Sequence, residues 1–302
     1  MNSPSEVITI ISYQRDRFVT TEELCFPFIG DVGGTIRGYR IFTACRTCGD
    51  KIFRIEDHLD RLYYSAASIY MKPPMNRDSL RTLLYALIQE NRKAGFKDDL
   101  LIDIIFSGGL EDHTMAQSGS SAYLYIAVRE LIVPPSEYYE KGVALATCSY
   151  MRMYPDVKLL NYMGAIMAHQ TVVPLHNAYD VIFIYPPDGV TILEGSTFTV
   201  FFVNAEGTVV TPPLDGKILD SVTRRVVLQV LQQSGKIRLK EDRVRLDELE
   251  TYPEAFMVST TRNVLPVVRI DDRIIGSGQP GPVTREIMHL VEQYVTTFSL
   301  QQ

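Results

Sequence analysis

One lysine sits where a cation is out of place. In DVKLLNYMGAIMAHQ, residues 156–170, Lys158 stands between Val157 and Leu159-Leu160. Such a lysine either snorkels to water or is held inside, where desolvation disfavours the ammonium and lowers its pKa. A neutral amine is a nucleophile and can form a Schiff base with an aldehyde. Four other features could serve that amine. Ser221-Val222-Thr223 open a helical pattern, and a helix start offers free N–H groups and a positive dipole end to an anion. Ser259-Thr260-Thr261 set three hydroxyls at a strand end, just before Arg262. Glu194 follows the apolar Ile192-Leu193, so its carboxylate needs a partner; a protonated pyridine nitrogen would be one. Arg61 could fork onto phosphate oxygens or pair with Asp57 or Asp60. Each feature has a plainer reading as well: a cap, a turn residue facing water, or a surface ion pair.

The elements that would carry these residues follow from periodicity. EDHLDRLYYSAASIY has Leu59, Leu62, Ala66 and Ile69 at helical spacing, which puts Arg61 on a helix. RDSLRTLLYALIQENRKAG predicts a second helix closed by Gly95. SVTRRVVLQVLQQSG predicts a third, capped by Ser221, with the stripe Val226, Val227, Val230, Leu231 and Gly235 at its end. VTREIMHLVEQYV predicts a C-terminal helix. EVITIIS, LLIDIIFS, AYLYIAV, VALATCSY, VIFIYP, TILEG, FTVFFV and AFMVST read as strands. GYRIFTACRT and KIFRI read as a hairpin turning at Gly49-Asp50. GGLEDHTMAQSGSS is a polar loop. VPPSEYYEKG, residues 133–142, reads as a linker. The expected class is α+β, with a domain over 1–132 and a strand-rich domain over 143–302.

The chain has 302 residues and a formal net charge of −6. That balance argues against a broad nucleic-acid footprint. No apolar run reaches the roughly 18 residues of a membrane span. MNSPSEVITIISYQRDRF lacks a basic region followed by an apolar core, so no signal peptide is expected. The four cysteines suit a reducing cytoplasm. Cys45 and Cys48 form C-x-x-C without the further ligands a zinc site needs; they read as half-buried strand residues, and no metal is expected.

In their order along the chain these motifs resemble the class IV pyridoxal-phosphate enzymes. That family includes branched-chain and D-amino-acid aminotransferases, R-selective amine transaminases and aminodeoxychorismate lyase. The resemblance runs from about Gly30 to Val295. FRIEDHLDRLYYSA is similar to the family's H-x-x-R-L helix, which implies Arg61 on the cofactor phosphate. DVKLLNYMGAIMA is similar to its K-x-L-N segment, which implies Lys158 as the Schiff-base lysine and Tyr162 on the cofactor's phenolic oxygen. ILEGSTFTVFFV resembles E-G-x-x-x-N-x-F, which implies Glu194 on the pyridine nitrogen, with Thr199 in place of Asn. LDSVTRR resembles the G-I-T-R helix start, which implies the Val222 and Thr223 amides on the phosphate; Ser221 replaces glycine and Asp220 a proline. FMVSTTRNVLPV implies Thr260 and Thr261 as a second phosphate grip.

The resemblance implies a two-domain fold of type IV, with a smaller N-terminal α/β domain and a C-terminal pseudo-barrel. It implies pyridoxal 5'-phosphate and ping-pong transfer of an amino group from an amino donor to a 2-oxo acid. It also implies a homodimer, with the site at the domain boundary and a partner loop, here GGLEDHTMAQSGSS, closing it. The substrate side departs from the family. Where D-amino-acid members and the lyase carry an arginine, this chain has Ser107. Arg37, Arg46, Arg152 and Arg262 are the candidates to bind a substrate carboxylate, with Phe42 beside them. IFTACR is closer to the lyase's F-T-T-A-R, so conversion of aminodeoxychorismate to aminobenzoate and pyruvate is the alternative activity.

Overall fold

The computed structural model describes residues 9–108 and 121–300, so residues 6–8 of EVITIIS and residues 109–120 of GGLEDHTMAQSGSS lie outside the described residues. The chain forms two units. The first runs up to Ile132 and also contains Val157–Asn161; the second contains Val133–Asp156 and the chain from Tyr162 onward.

In the first unit, β1 (Ile11–Gln14), β2 (Arg17–Thr20), β3 (Arg40–Cys48), β4 (Lys51–Ile52), β5 (Leu100–Ser107) and β6 (Tyr123–Glu130) form one sheet in the order β2-β1-β6-β5-β3-β4. The pairings are antiparallel. A single turn, α1 (Val32–Thr35), precedes β3, and α2 (Ile55–Ser68) and α3 (Arg77–Lys93) follow β4. The α2 stripe is as its spacing requires: Leu59, Leu62 and Ala66 are fully buried in one core with Ile41 and Cys45 of β3 and Leu84 and Leu87 of α3. Strand alternation sets Ile41, Thr43 and Cys45 on that face of β3, and Arg40 and Phe42 on the other. The Gly49-Asp50 turn closes the β3–β4 hairpin, with Gly49 at a φ of 64°. The second strand of that hairpin ends at Ile52, shorter than KIFRI suggests, because Arg54 turns left-handed at φ 52° and starts α2. Cys45 and Cys48 are buried rather than half-buried, and burial pushes both thiol pKa values up.

In the second unit the strands are β7 (Val143–Ser149), β8 (Asp180–Ile184), β9 (Ile192–Gly195), β10 (Thr199–Val203), β11 (Val209–Thr211), β12 (Leu239–Glu241), β13 (Glu254–Ser259), β14 (Asn263–Ile270) and β15 (Arg273–Ile274). Their order is β12-β11-β10-β13-β14-β7-β8-β9, with β15 on β14. The β11–β12, β14–β7 and β7–β8 pairs are parallel. Strands β8, β10 and β13 are buried at every residue, so both faces of the sheet are covered there. Phe201 and Phe256, directly opposite across β10 and β13, stack with ring centroids 4.9 Å apart.

The helices of this unit are α4 (Ser136–Lys141), α5 (Met163–Thr171), α6 (Val173–His176), α7 (Val222–Ser234) and α8 (Pro282–Leu300). Helix α4 lies within the stretch read as a linker, and its Tyr139 hydroxyl donates to the Arg262 carbonyl at 2.9 Å. Among the described residues no helix is long and apolar enough to cross a membrane.

Candidate active site

Lys158 belongs to the first unit as part of the short segment Val157–Asn161, and the chain from Val133 up to Asp156 and from Tyr162 onward belongs to the second. Its segment is laced onto β3. The Phe42 amide donates to the Lys158 carbonyl and the Leu160 amide to the Arg40 carbonyl, each at 3.0 Å, and Ile41 and Leu159 form an antiparallel bridge. The Lys158 amide donates to Ser65 Oγ on α2 at 3.1 Å. The Lys158 Nζ lies 4.8 Å from the centroid of the Phe42 ring, a cation–π contact.

Helix α2 carries Arg61 one turn before Ser65. Arg61 is 7% exposed, and its Nη2 donates to Thr43 Oγ1 at 2.9 Å. The same hydroxyl lies 2.9 Å from Nδ1 of the buried His58. Thr43 therefore orients the guanidinium from the core side of β3. Further along the sheet, Arg40 Nε donates to Ser107 Oγ at 2.7 Å, and Ser107 donates to the buried Asp31 at 2.5 Å. Arg40 also reaches Asp31 at 3.3 Å and lies over the Phe26 ring at 4.1 Å. Ser107 is thus bound up with Asp31 and Arg40. Arg37 is exposed just past α1. Arg46 is buried, with its guanidinium 5.3 Å from the Phe53 centroid.

The second unit holds Glu194, near the end of β9 and 7% exposed. Arg152 donates to Glu194 Oε1 through Nε at 2.9 Å and Nη2 at 2.6 Å, and the Leu219 amide donates to Oε2 at 3.1 Å. Gly195 follows because a Cβ there would fall 2.0 Å from the Phe198 ring. Two residues beyond Leu219, Ser221 caps α7, its hydroxyl accepting from the Arg224 amide at 3.3 Å. The Val222 and Thr223 amides open that helix, where no intrahelical acceptor exists for them. Asp220, beside the cap, is ion-paired with Arg225 at 2.5 Å, which offsets its charge at this helix start.

Thr260 and Thr261 are half-buried in the turn between β13 and β14, closed by Asn263 at φ 53°. Arg262, in the same turn, is engaged within its own unit: it reaches Asp180 at 3.3 Å, the Tyr179 hydroxyl at 3.0 Å and Thr197 at 2.9 Å. Tyr162 precedes α5 and packs in a cluster with Tyr150 and Phe183. His169 of α5 meets Asp180 at 2.9 Å; that hydrogen bond raises its pKa, with burial opposing. Among the described residues no group of three or more His, Cys, Asp and Glu is arranged to hold a metal.

Residues 40–270 match the family model described as amino-transferase class IV. The chain belongs to that family. This aminotransferase is 26% identical over 275 residues to the putative branched-chain-amino-acid aminotransferase of Methanocaldococcus jannaschii, covering 89% of this chain and 91% of that protein. It is 29% identical over 265 residues to the D-alanine aminotransferase of Bacillus licheniformis, covering 86% and 90%. The crystal structure of the branched-chain aminotransferase of Thermoproteus uzoniensis with norvaline matches with a TM-score of 0.84 at 25% identity, covering 96% of this chain and 95% of that one. The fold is therefore the α+β, type IV fold that the motifs imply.

Several polar partners in this aminotransferase carry no local sequence signal. Arg152, one of four candidates for a substrate carboxylate, is instead the partner of Glu194, 42 residues away. No motif marks Asp180 or His169. Ser65 stands out in the sequence only as a small residue one turn after Arg61, which is the position that lets both act from one face of α2.

Proposed function

We propose that this aminotransferase moves an amino group from an α-amino acid to a 2-oxo acid on pyridoxal 5'-phosphate, through Lys158. The observation that carries the proposal is the fixing of Lys158 at both its amide and its carbonyl, with its ammonium over Phe42. A reactive amine needs such a fixed origin, because misplacement by about 1 Å is costly in rate.

The residues fit the cofactor chemically. An ionised carboxylate has about four acceptor positions, and Arg152 and Leu219 donate three hydrogen bonds to Glu194. The remaining position suits a protonated ring nitrogen. The same Leu219 leads into the α7 start, so within the second unit the partner for the ring and a cradle for the phosphate are joined by a few residues.

When bound, the cofactor supplies an electron sink for the bonds at the donor's Cα. In our reading Arg61, the Val222 and Thr223 amides and the Thr260 and Thr261 hydroxyls would hold its phosphate. Glu194 would keep the proton on its ring nitrogen, and Tyr162 would serve its phenolic oxygen. With the cofactor in place, Lys158 Nζ would be the amine that bonds to its aldehyde, and as a free amine it would serve as the general base for the proton on the donor's Cα. The proposed donors are of the branched-chain or D-alanine type, the activities named among the relatives.

Single donors test this. Holoenzyme mixed with L-leucine, D-alanine or R-1-phenylethylamine, without acceptor, should convert its visible absorbance to that of pyridoxamine phosphate with at least one of the amino acids. No conversion by any amino acid of either hand would refute the transaminase reading.

A further inference from the structure

A dense polar cluster of the second unit lies around Asp180, at the start of β8. Asp180 is 1% exposed, and its Oδ1 accepts from the Val181 amide at 2.8 Å and from Ser196 Oγ at 2.7 Å, with His169 Nε2 at 2.9 Å. Its other oxygen, Oδ2, accepts from Arg262 Nη2 at 3.3 Å. Arg262 reaches back from the tip of the β13–β14 hairpin to make this contact. Its Nε donates to the Tyr179 hydroxyl at 3.0 Å, and Nη1 donates to Thr197 Oγ1 at 2.9 Å. The Tyr139 hydroxyl holds the Arg262 carbonyl at 2.9 Å. The turn is therefore clamped through both the side chain and the main chain of one residue.

Hairpin turns are ordinarily the mobile part of a sheet. Here the turn contains Thr260 and Thr261, and the acceptors on Arg262 include Thr197, which lies three residues after Glu194 on the loop leaving β9. We propose that Asp180 and Arg262 form a latch that positions the Thr260–Thr261 turn against the loop following Glu194, and so sets the grip on the cofactor's phosphate. The inference rests on the cofactor reading above and assigns both residues as positioning residues. A planar fork is required, because one guanidinium meets a carboxylate, a phenol and a threonine hydroxyl in three directions; a lysine ammonium would keep the charge and lose that geometry.

The test compares two aldehydes that differ only in the phosphate. Full-length apo-protein is titrated with pyridoxal 5'-phosphate and with pyridoxal, following absorbance, for the wild type, Arg262→Lys and Asp180→Asn. The latch predicts that each variant loses about ten-fold or more in affinity for the phosphate ester and binds pyridoxal as the wild type does. Equal weakening of both aldehydes, or of neither, overturns it. If Asp180→Asn fails to fold, Thr197→Val removes a single acceptor of the fork and should show the same phosphate-selective loss on a smaller scale; no selective loss there also overturns the latch. A wild-type protein that binds neither aldehyde refutes the cofactor reading itself, and the latch with it.

Discussion

Replacing Arg152 by methionine keeps an unbranched apolar stem and removes a guanidinium from a carboxylate that water barely reaches. The side chains of Arg152 and Glu194 are 15% and 9% exposed. Breaking a fully buried pair by deleting one partner costs about 3–5 kcal/mol, chiefly because the surviving charge is stranded. The residual exposure lets water recover part of this, and the Leu219 amide still serves Oε2. Arg152 also donates to the Pro155 carbonyl at 2.5 Å, and the methionine cannot replace that hydrogen bond either. The net expectation for Arg152→Met is a destabilisation of about 2–4 kcal/mol, or roughly 5–15 °C in the melting of a unit of this size. Urea unfolding of the apo-protein, followed by circular dichroism and tyrosine fluorescence, measures it. Arg152→Lys should fall between the two, since it keeps the charge without the fork. A Met variant within about 0.5 kcal/mol of the wild type would behave like a surface substitution, and would refute the claim that Arg152 sustains Glu194.

Gly34→Ala would put a Cβ 2.0 Å from Ser107 Oγ and 2.6 Å from Asp31 Oδ2; overpacking of this buried cluster should destabilise the first unit by about 1–3 kcal/mol in urea, and an unchanged midpoint would contradict it. His169 titrates above its ordinary value of 6.5 because of its hydrogen bond to Asp180. A raised folded pKa stabilises fully below the unfolded value, and the benefit fades as pH rises through the folded one. The melting temperature of the wild type minus that of His169→Gln should therefore be largest near pH 5.5 and shrink toward pH 8.5, and a difference that grows with pH would reverse the sign. Of the cysteines, Cys25 is exposed while Cys45 and Cys48 are buried. Ellman's reagent should react first at Cys25, and at Cys45 and Cys48 only on unfolding; fast reaction at the C-x-x-C pair would show that β3 is not packed as described.

Elements with a strong local pattern are legible from the sequence. The α2 stripe, the Ser221 cap and the left-handed Gly235 at φ 61° each follow from spacing and side-chain type. Helix α5 is not legible, because Met163, Ile166 and Met167 face outward while the small Ala165 and Ala168 face inward, leaving no polar stripe to mark the surface. Strand β14 is obscured by Pro266, a residue that normally argues against a strand; it pairs with Phe256 of β13, and β7 joins only from Val267 onward. For the candidate site, the helix under Arg61 and the strand under Glu194 can be read from periodicity. The partners of the arginines cannot. Arg40 with Ser107, Arg152 with Glu194 and Arg262 with Asp180 join residues 67, 42 and 82 positions apart. Such pairs are set by sheet order, which a local pattern does not encode.

The central claim is that Lys158 is the amine that holds the cofactor. Borohydride reduction of the protein with pyridoxal 5'-phosphate, followed by proteolysis and mass spectrometry, fixes the label where the bond forms. The account predicts the phosphopyridoxyl group on Lys158 and no Schiff-base absorbance band in Lys158→Ala beyond that of the free aldehyde. A label on another lysine, or a Schiff-base band that survives in Lys158→Ala, would contradict it.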